Sequence, residues 1–446
     1  MNNENIEQSP LVTLPIWQLF MNYAVPSVIT VLFFGVQNII DGLIVSHYVG
    51  EYALGGVNII MPLYSVIMVI ALIVGIGSQA LVSQGLGEKN LTKAQNGMSS
   101  GFWALVVVSL IGTSVLWLFG DVFVRLLGAD ETLMSYSLDY LKGLAPFILP
   151  ITLCFYNDAM LKSMGYPKSS MVIMLIAVLL NIALSLYFVI ELKLGIMGTS
   201  IATGLAFTIS MLISSTITFS NKREISMLKG RFDYRLLAQS SYNGLSEGVT
   251  ELAAAITILV INLTVVKMIG ATGVSAFTAI SYIEFTGILI FLGISDGLIP
   301  VLSYNYGANQ KDRVKRILYF VAIINSVIGV TVFAVLQIFG REIVHIFFDD
   351  MNGEVAQLAT QGLHTYAFVF LVIGLNILIT AYFTALGAAK YSLIIAALHS
   401  LVFVLIGIAI FPRIFGIDGI WLTSVVAETL TVFIGLKLVS IVNRKI

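Results

Sequence analysis

The 446-residue chain is 58% hydrophobic and only 11% charged. Soluble domains carry roughly 25% charged residues, so this composition excludes a soluble globular protein and indicates a polytopic membrane protein. The formal net charge of −1 excludes bulk electrostatic attraction to nucleic acid. Cys154, the one cysteine, has no partner for an internal disulfide.

In chain order, the opening "MNNENIEQSP" lacks a basic n-region and reads as a short polar tail, not a cleavable signal peptide. A crossing needs about 20 apolar residues. Twelve candidate spans follow, near 15–46, 53–86, 96–120, 131–163, 168–192, 196–219, 236–268, 273–306, 314–339, 354–386, 390–411 and 418–441. Several exceed 30 residues, which implies tilt or projection beyond the bilayer. The fold class expected is all-α, with twelve transmembrane helices and no soluble domain between them.

Lys and Arg set the orientation. Loops after even-numbered spans carry Lys89 and Lys93, Lys168, the cluster "NKREISMLKGRFDYR" and "KDRVKR". Loops after odd-numbered spans hold single charges: Arg125, Lys193, Lys267, Arg341 and Arg413. Both termini are therefore expected in the cytoplasm, with the chain in the inner (plasma) membrane.

An internal repeat accompanies this pattern. A shift of 220 residues lays "GEYALGG…GIGSQALVSQGLGEKN" over "GATGVSA…SDGLIPVLSYNYGANQ", so that Gly50 meets Gly270, Gly77 meets Gly297 and Gly87 meets Gly307. Further on, Gly165 meets Gly387, and "GIMG" at 195 meets "GIDG" at 416. Each half holds six spans, an even number, so the halves are related by an axis along the membrane normal. The expected organisation is an N-terminal bundle over 1–220, a cytoplasmic linker over 221–235 and a C-terminal bundle over 236–446. Two such bundles suit alternating access.

Polar side chains inside the spans carry the chemistry. A charged side chain at the bilayer centre costs about 3 kcal/mol on insertion scales, yet Asp41 lies in "GVQNIIDGLIVSHYVG" with Gln37 and Asn38 one turn away. In the fifth span Asn181 and Ser185 are one turn apart, and the sixth brings Thr199 and Thr203 to similar depth. Oxygen ligands around one carboxylate suit either a proton or a sodium ion, whereas small polar residues also act as helix glue. The seventh span places Glu247 and Glu251 on one face, and the eighth carries Tyr282 and Glu284. Two facing carboxylates repel unless one is protonated or a cation lies between them. Asp158 and Lys162, one turn apart, read as an intrahelical ion pair, and Asp296 reads as a helix cap or kink. His47, His345, His364 and His399 show no paired metal spacing, and neither a Walker A motif nor a Ser-His-Asp or Cys-His arrangement appears. Nothing indicates an enzyme.

The six-plus-six repeat, the paired "SQGLGEKN" and "SYNYGANQ" segments, and "QNIIDG" in the first span resemble the multidrug and toxic compound extrusion (MATE) family. "SEGVTEL" and "GLIPVLSYNYGA" resemble its DinF-like branch. The resemblance runs from about Trp17 to Ile441. It implies a V-shaped pair of bundles and a secondary exporter that exchanges inward H⁺ or Na⁺ for organic cations or other amphipathic drugs, with no cofactor beyond the coupling ion. It also implies cation coupling at an aspartate of the first helix, an Asn and Asp of the fifth and a Thr of the sixth. Asp41, Asn181 and Thr203 match these, while Ser185 stands where the branch has its second acid. That departure favours proton coupling over a full sodium site at Asp41. The aspartate that other branches carry in the tenth helix is also absent, leaving Asn376 and Tyr382 as polar candidates beside Glu247, Glu251, Glu284 and Tyr282 for contact with substrate.

Two other readings compete. A lipid-linked oligosaccharide flippase of the same superfamily would want Arg or Lys in its cavity, where this sequence places acids. A passive channel or receptor fits poorly with a six-plus-six repeat. The partners expected are a small-molecule drug or toxic organic cation and membrane lipid, with the protein a monomer and no nucleic acid bound.

Overall fold

The computed structural model describes residues 9–445. Twelve helices are long and apolar enough to cross a membrane: α1 (Ile16–Val49), α2 (Tyr52–Gly87), α3 (Leu91–Leu126), α4 (Glu131–Ser163), α5 (Pro167–Glu191), α6 (Gly195–Thr218), α7 (Tyr234–Ile269), α8 (Ala271–Gly307), α9 (Lys311–His345), α10 (Glu354–Ala385), α11 (Ala389–Phe415) and α12 (Asp418–Arg444). No strand occurs among the described residues. With twelve crossings, both ends of the described chain and the segment between α6 and α7 fall at one end of the molecule, called here the linker end.

The repeat is visible as turn chemistry. Gly50 and Gly270 take φ +124 and +77, and Gly165 and Gly387 take +87 and +71. Such values strain any residue with a Cβ. They let the chain reverse within one or a few residues between α1 and α2, α7 and α8, α4 and α5, and α10 and α11. Side-chain caps fix other starts: Asn90 accepts from Lys93 N–H at 3.0 Å and Asp130 from Leu133 N–H at 2.8 Å. In α1, Pro26 has no N–H for the carbonyl one turn earlier and its ring crowds that carbonyl. A π-helical turn at Phe20–Ala24 absorbs the mismatch, and a second π turn at Val45–Val49 follows Asp41. Further π turns interrupt α5 at Tyr187–Glu191 and α11 at Leu398–Val402.

Each half has its own apolar interior. In the C-terminal half it centres on Ile280, Phe291, Tyr366, Phe370 and Trp421. In the N-terminal half, Met98, Leu105, Tyr156 and Met160 form one part, and Leu144, Ile151 and Phe207 another. Two clusters cross between halves: Leu19, Tyr23 and Ala24 of α1 pack on Ile294, Leu298 and Leu302 of α8, and Ala80 of α2 packs with Ile299 of α8 and Ala381 of α10. The linker lies against α3, with Ser99 Oγ donating to Met227 O at 2.6 Å and Asp233 N–H donating to Ser100 Oγ at 2.8 Å.

The halves meet along a line of backbone approaches in the linker half of the molecule. A Cβ on Gly87 of α2 would lie 2.1 Å from Tyr304 O of α8, and one on Gly307 of α8 would lie 2.2 Å from Gln84 O of α2. Gln84 and Tyr304 are themselves 220 residues apart, so the contact is reciprocal about a pseudo-twofold axis. Nearby, Cβ atoms on Gly77 and Gly297 would lie 1.9 Å from Ser240 O and 2.4 Å from Tyr23 O. Gln84 Nε2 also donates to Ala385 O at 2.7 Å. Toward the opposite end Asn58, Pro62 and Val66 of α2 and Ala254, Ala255, Ile258 and Leu259 of α7 are exposed. The close backbone approaches thus gather toward the linker end, and these residues beyond it lie open.

A methyl group at Gly77 forces α2 away from α7, an overpacking cost of about 1–3 kcal/mol. Gly77→Ala is therefore expected to lower the unfolding temperature of the purified protein, whereas Gly75→Ala, whose Cβ meets nothing within 4 Å, leaves it unchanged. Equal melting of the two variants would show that the seam is not tightly packed.

Candidate functional site

The N-terminal half assembles a polar cluster from α1, α5 and α6. Gln37 is buried, and its Nε2 donates to Asp41 Oδ2 at 3.5 Å, one turn along α1. Asn181 and Ser185 are fully buried on α5, which packs against α1. Asn181 Nδ2 donates to Thr203 Oγ1 at 2.8 Å, and Thr203 Oγ1 donates in turn to Thr199 O at 3.0 Å. Asp41 Oδ1, Gln37 Oε1, Asn181 Oδ1 and Ser185 Oγ are buried and make no hydrogen bond within the described protein. Buried polar atoms are nearly always paired, so four unpaired oxygens on four side chains of the packed helices α1 and α5 leave capacity for a further hydrogen-bonding or coordinating species. Asn38 does not join them; it lies a further 100° around the helix and is exposed. Tyr140 of α4, flanked by Tyr64 of α2, stands within electrostatic reach of Asp41. The sequence around Tyr140 has no spacing that singles it out.

The C-terminal half holds a second cluster, which the sequence reading did not find. Glu428 of α12 is 6% exposed and accepts from Asn376 Nδ2 of α10 at 2.6 Å. Its other carboxylate oxygen lies 3.1 Å from His399 Nδ1 in the π turn of α11. The signal was available, since Glu428 sits in the apolar run "WLTSVVAETLTVF" as Asp41 does in its own. Glu284 of α8 lies beside Tyr366 and within reach of Glu428, and Glu247 of α7 lies within reach of Glu251, Asp296 and His399.

Several candidates for substrate contact are placed differently from expectation. Asn376 is fully buried on Glu428, and Tyr382 is fully buried with its hydroxyl 2.5 Å from Asn443 Oδ1. Both sit inside the C-terminal half, where the Asn376 amide nitrogen and the Tyr382 hydroxyl find partners while Asn376 Oδ1 has none among the described residues. Tyr282 is exposed and stacks on Phe347 at 6.3 Å between ring centres, at the outer ends of α8 and α9. Glu251 is exposed, and Glu247 and Glu284 are partly buried.

Asp158 and Lys162 form the expected pair at 2.6 Å. Asp296 departs from expectation. Helix α8 runs unbroken through it, and its carboxylate lies 2.5 Å from Lys162 Nζ, across the seam between the halves. Lys162 thus adds a buried basic group to an interior read as acidic from sequence. Among the described residues no group of three His, Cys, Asp or Glu side chains is arranged to hold a metal ion.

This architecture has relatives. The MatE family model matches the chain twice, over residues 26–187 and 248–409, one match in each half. The chain belongs to the MatE family. It is 23% identical over 444 residues to the multidrug export protein MepA of Staphylococcus aureus strain MSSA476, covering 97% of this chain and 95% of that protein. It is 26% identical over 443 residues to MepA of Staphylococcus haemolyticus strain JCSC1435, covering 96% and 94%. A MATE protein crystallised in complex with MaD3S superposes with a TM-score of 0.91 at 20% identity, covering 98% of both chains.

Truncating Asn376 removes a hydrogen bond from a buried carboxylate, which costs about 1.5–3 kcal/mol. Asn376→Ala is expected to lower the melting temperature of the purified protein clearly, while Asn38→Ala at its exposed site leaves it within error. Thermal unfolding followed by intrinsic fluorescence separates the two.

Proposed function

We propose that the protein is a multidrug exporter that uses inward proton movement to drive organic cations and other amphipathic compounds out of the cell by alternating access. The linker end faces the cytoplasm in this reading, because the Lys and Arg clusters between α6 and α7 and between α8 and α9 lie there. The segments 1–220 and 236–446 act as two bodies joined by the 221–235 linker, and one monomer is the working unit. The names of the curated relatives support the cargo class. The single observation that carries the coupling is Asp41: a partly buried carboxylate with one buried, unpaired oxygen, on a helix packed against α5, where Asn181 and Ser185, with Thr203 of α6, bring hydrogen-bonding groups but no second acid.

Protonation removes the charge that demands a hydrated site, so the neutral acid tolerates a drier arrangement of α1. The π turns at either side of Asp41 give α1 places to change its hydrogen-bond register without losing the whole ladder. Deprotonated Asp41 favours the wetter cluster and the conformation that receives cargo; a proton from outside favours release. Sodium coupling is the lesser reading because Ser185 stands where the resembling branch has its second acid, so the family's full sodium site is not reproduced. Glu251, exposed on α7, and Glu247 and Glu284 behind it supply negative charge on the C-terminal wall for a cation.

In proteoliposomes with an imposed pH gradient, the wild type is expected to accumulate ethidium, and Asp41→Asn to be made normally and to pump none. Undiminished pumping by Asp41→Asn would move the coupling site elsewhere and leave Asp41 a structural residue. Ser185→Asp, which restores a second acid, is expected to add a dependence on sodium gradients. A cysteine at Lys222, in a Cys154→Ala background, should react with impermeant maleimide only from the cytoplasmic side. Labelling from outside would reverse the topology.

A further inference from the structure

Lys162 is clamped between two carboxylates that belong to different halves of the molecule. Asp158, one turn back on α4, lies at 2.6 Å, and Asp296 on α8 lies at 2.5 Å. The Lys162 side chain is 3% exposed, that of Asp158 13% and that of Asp296 26%. The support for the two acids is unequal. Asp158 accepts from Lys162 and also from Ser170 Oγ of α5, both in its own half. Asp296 has Lys162 as its only hydrogen-bond donor among the described residues, and that donor comes from across the seam. When the halves part at the linker end, Lys162 has a second carboxylate to stay with, and Asp296 has nothing. A carboxylate stripped of its ammonium on the wall of a cleft is a site for another ammonium.

Resting on the cation-exporter reading above, we propose that Asp296 is the first docking point for the amine or quaternary ammonium of the cargo, and that Lys162 is a built-in competitor that displaces the cargo from it as the linker end closes. The exchange is one cation for another, so no net charge is buried or exposed in the step. The displaced cargo has acids to move to. Glu247 stands within electrostatic reach of both Asp296 and Glu251, and α7 carries Glu247 and then Glu251 away from the linker end toward the opposite end. Asp296, Glu247 and Glu251 form a succession of carboxylates on one wall. Lys162 then blocks return to the first of them.

Opposite responses of the two partners of one ion pair test this. A purely structural bridge weakens in the same way whichever partner is lost, but a competitor and its site do not. Equilibrium binding of ethidium to the purified full-length protein is expected to weaken about tenfold in Asp296→Asn and to tighten about tenfold in Lys162→Gln, roughly 1.4 kcal/mol in each direction. The double variant Lys162→Gln/Asp296→Asn should match Asp296→Asn. Asp296→Glu, which keeps the charge, should bind ethidium like the wild type, and the uncharged dye Nile red should bind all variants alike. If Lys162→Gln cannot be purified because Asp158 and Asp296 repel, the contrast between Asp296→Asn and Asp296→Glu, read with both dyes, still decides the role of Asp296. Weaker ethidium binding in both single variants, or parallel losses for Nile red, would overturn the proposal and leave the exporter reading standing. Absence of ethidium binding by the wild type would overturn both.

Discussion

The structure depends on how closely two helices approach when neither carries a side chain at the contact. Along the seam, α2 and α8 touch through Gly87 and Gly307, each against the other's backbone carbonyl. In a membrane the hydrophobic effect adds little between helices, and association rests on van der Waals contact at close range. Side chains pack across the seam as well, Leu19 and Tyr23 of α1 on Ile294 and Leu298 of α8. Beside that contact each half keeps a large interior of its own. A close contact between two bodies with separate interiors is compatible with the alternating access proposed above.

The scaffold is symmetric and its chemistry is not. Turn glycines and seam glycines recur at a shift close to 220, as do the family-model matches. The polar clusters break the pattern. Asp41 corresponds to Ile261, and Glu428 to a position near Ala206. The N-terminal cluster around Asp41 holds a single acid among amides and hydroxyls. The C-terminal half holds several acids with a histidine. In the function proposed above, packing symmetry suits one shared mode of movement and the unequal charges suit a different species in each half. Lys162 and Asp296 lie where the two halves meet, and among the described residues theirs is the ion pair that joins one half to the other.

Much of this was legible in the chain. Hydropathy located twelve spans because an unsatisfied backbone in hydrocarbon leaves helices as the available answer for such runs, and the glycine matches exposed the repeat because a positive φ admits few other residues. Asp41 stood out because an acid in an apolar run has few uneventful explanations. Glu428 carried the same mark. The pairing of Gln37 rather than Asn38 with Asp41 was not legible, since both lie about one turn away and the choice is made by which face of α1 meets α5 and α6. Nor was the role of Asp296. A glycine-flanked acid near a helix end suggests a cap when read within its own helix, and its partner is 134 residues away in the chain.

The sequence by itself determined what depends on composition and local spacing: the helices, their number, the repeat, the family and the identity of the acids that hydrocarbon makes costly. Only the tertiary structure decided which buried groups meet. It closed Asn376 and Tyr382 inside the C-terminal half, set His399 on Glu428 and set Lys162 between Asp158 and Asp296. The reason is physical. Insertion energy is summed residue by residue along a helix, whereas a hydrogen bond or ion pair exists only when rotation and depth of two helices bring atoms within about 3 Å, and neither is written in the local sequence.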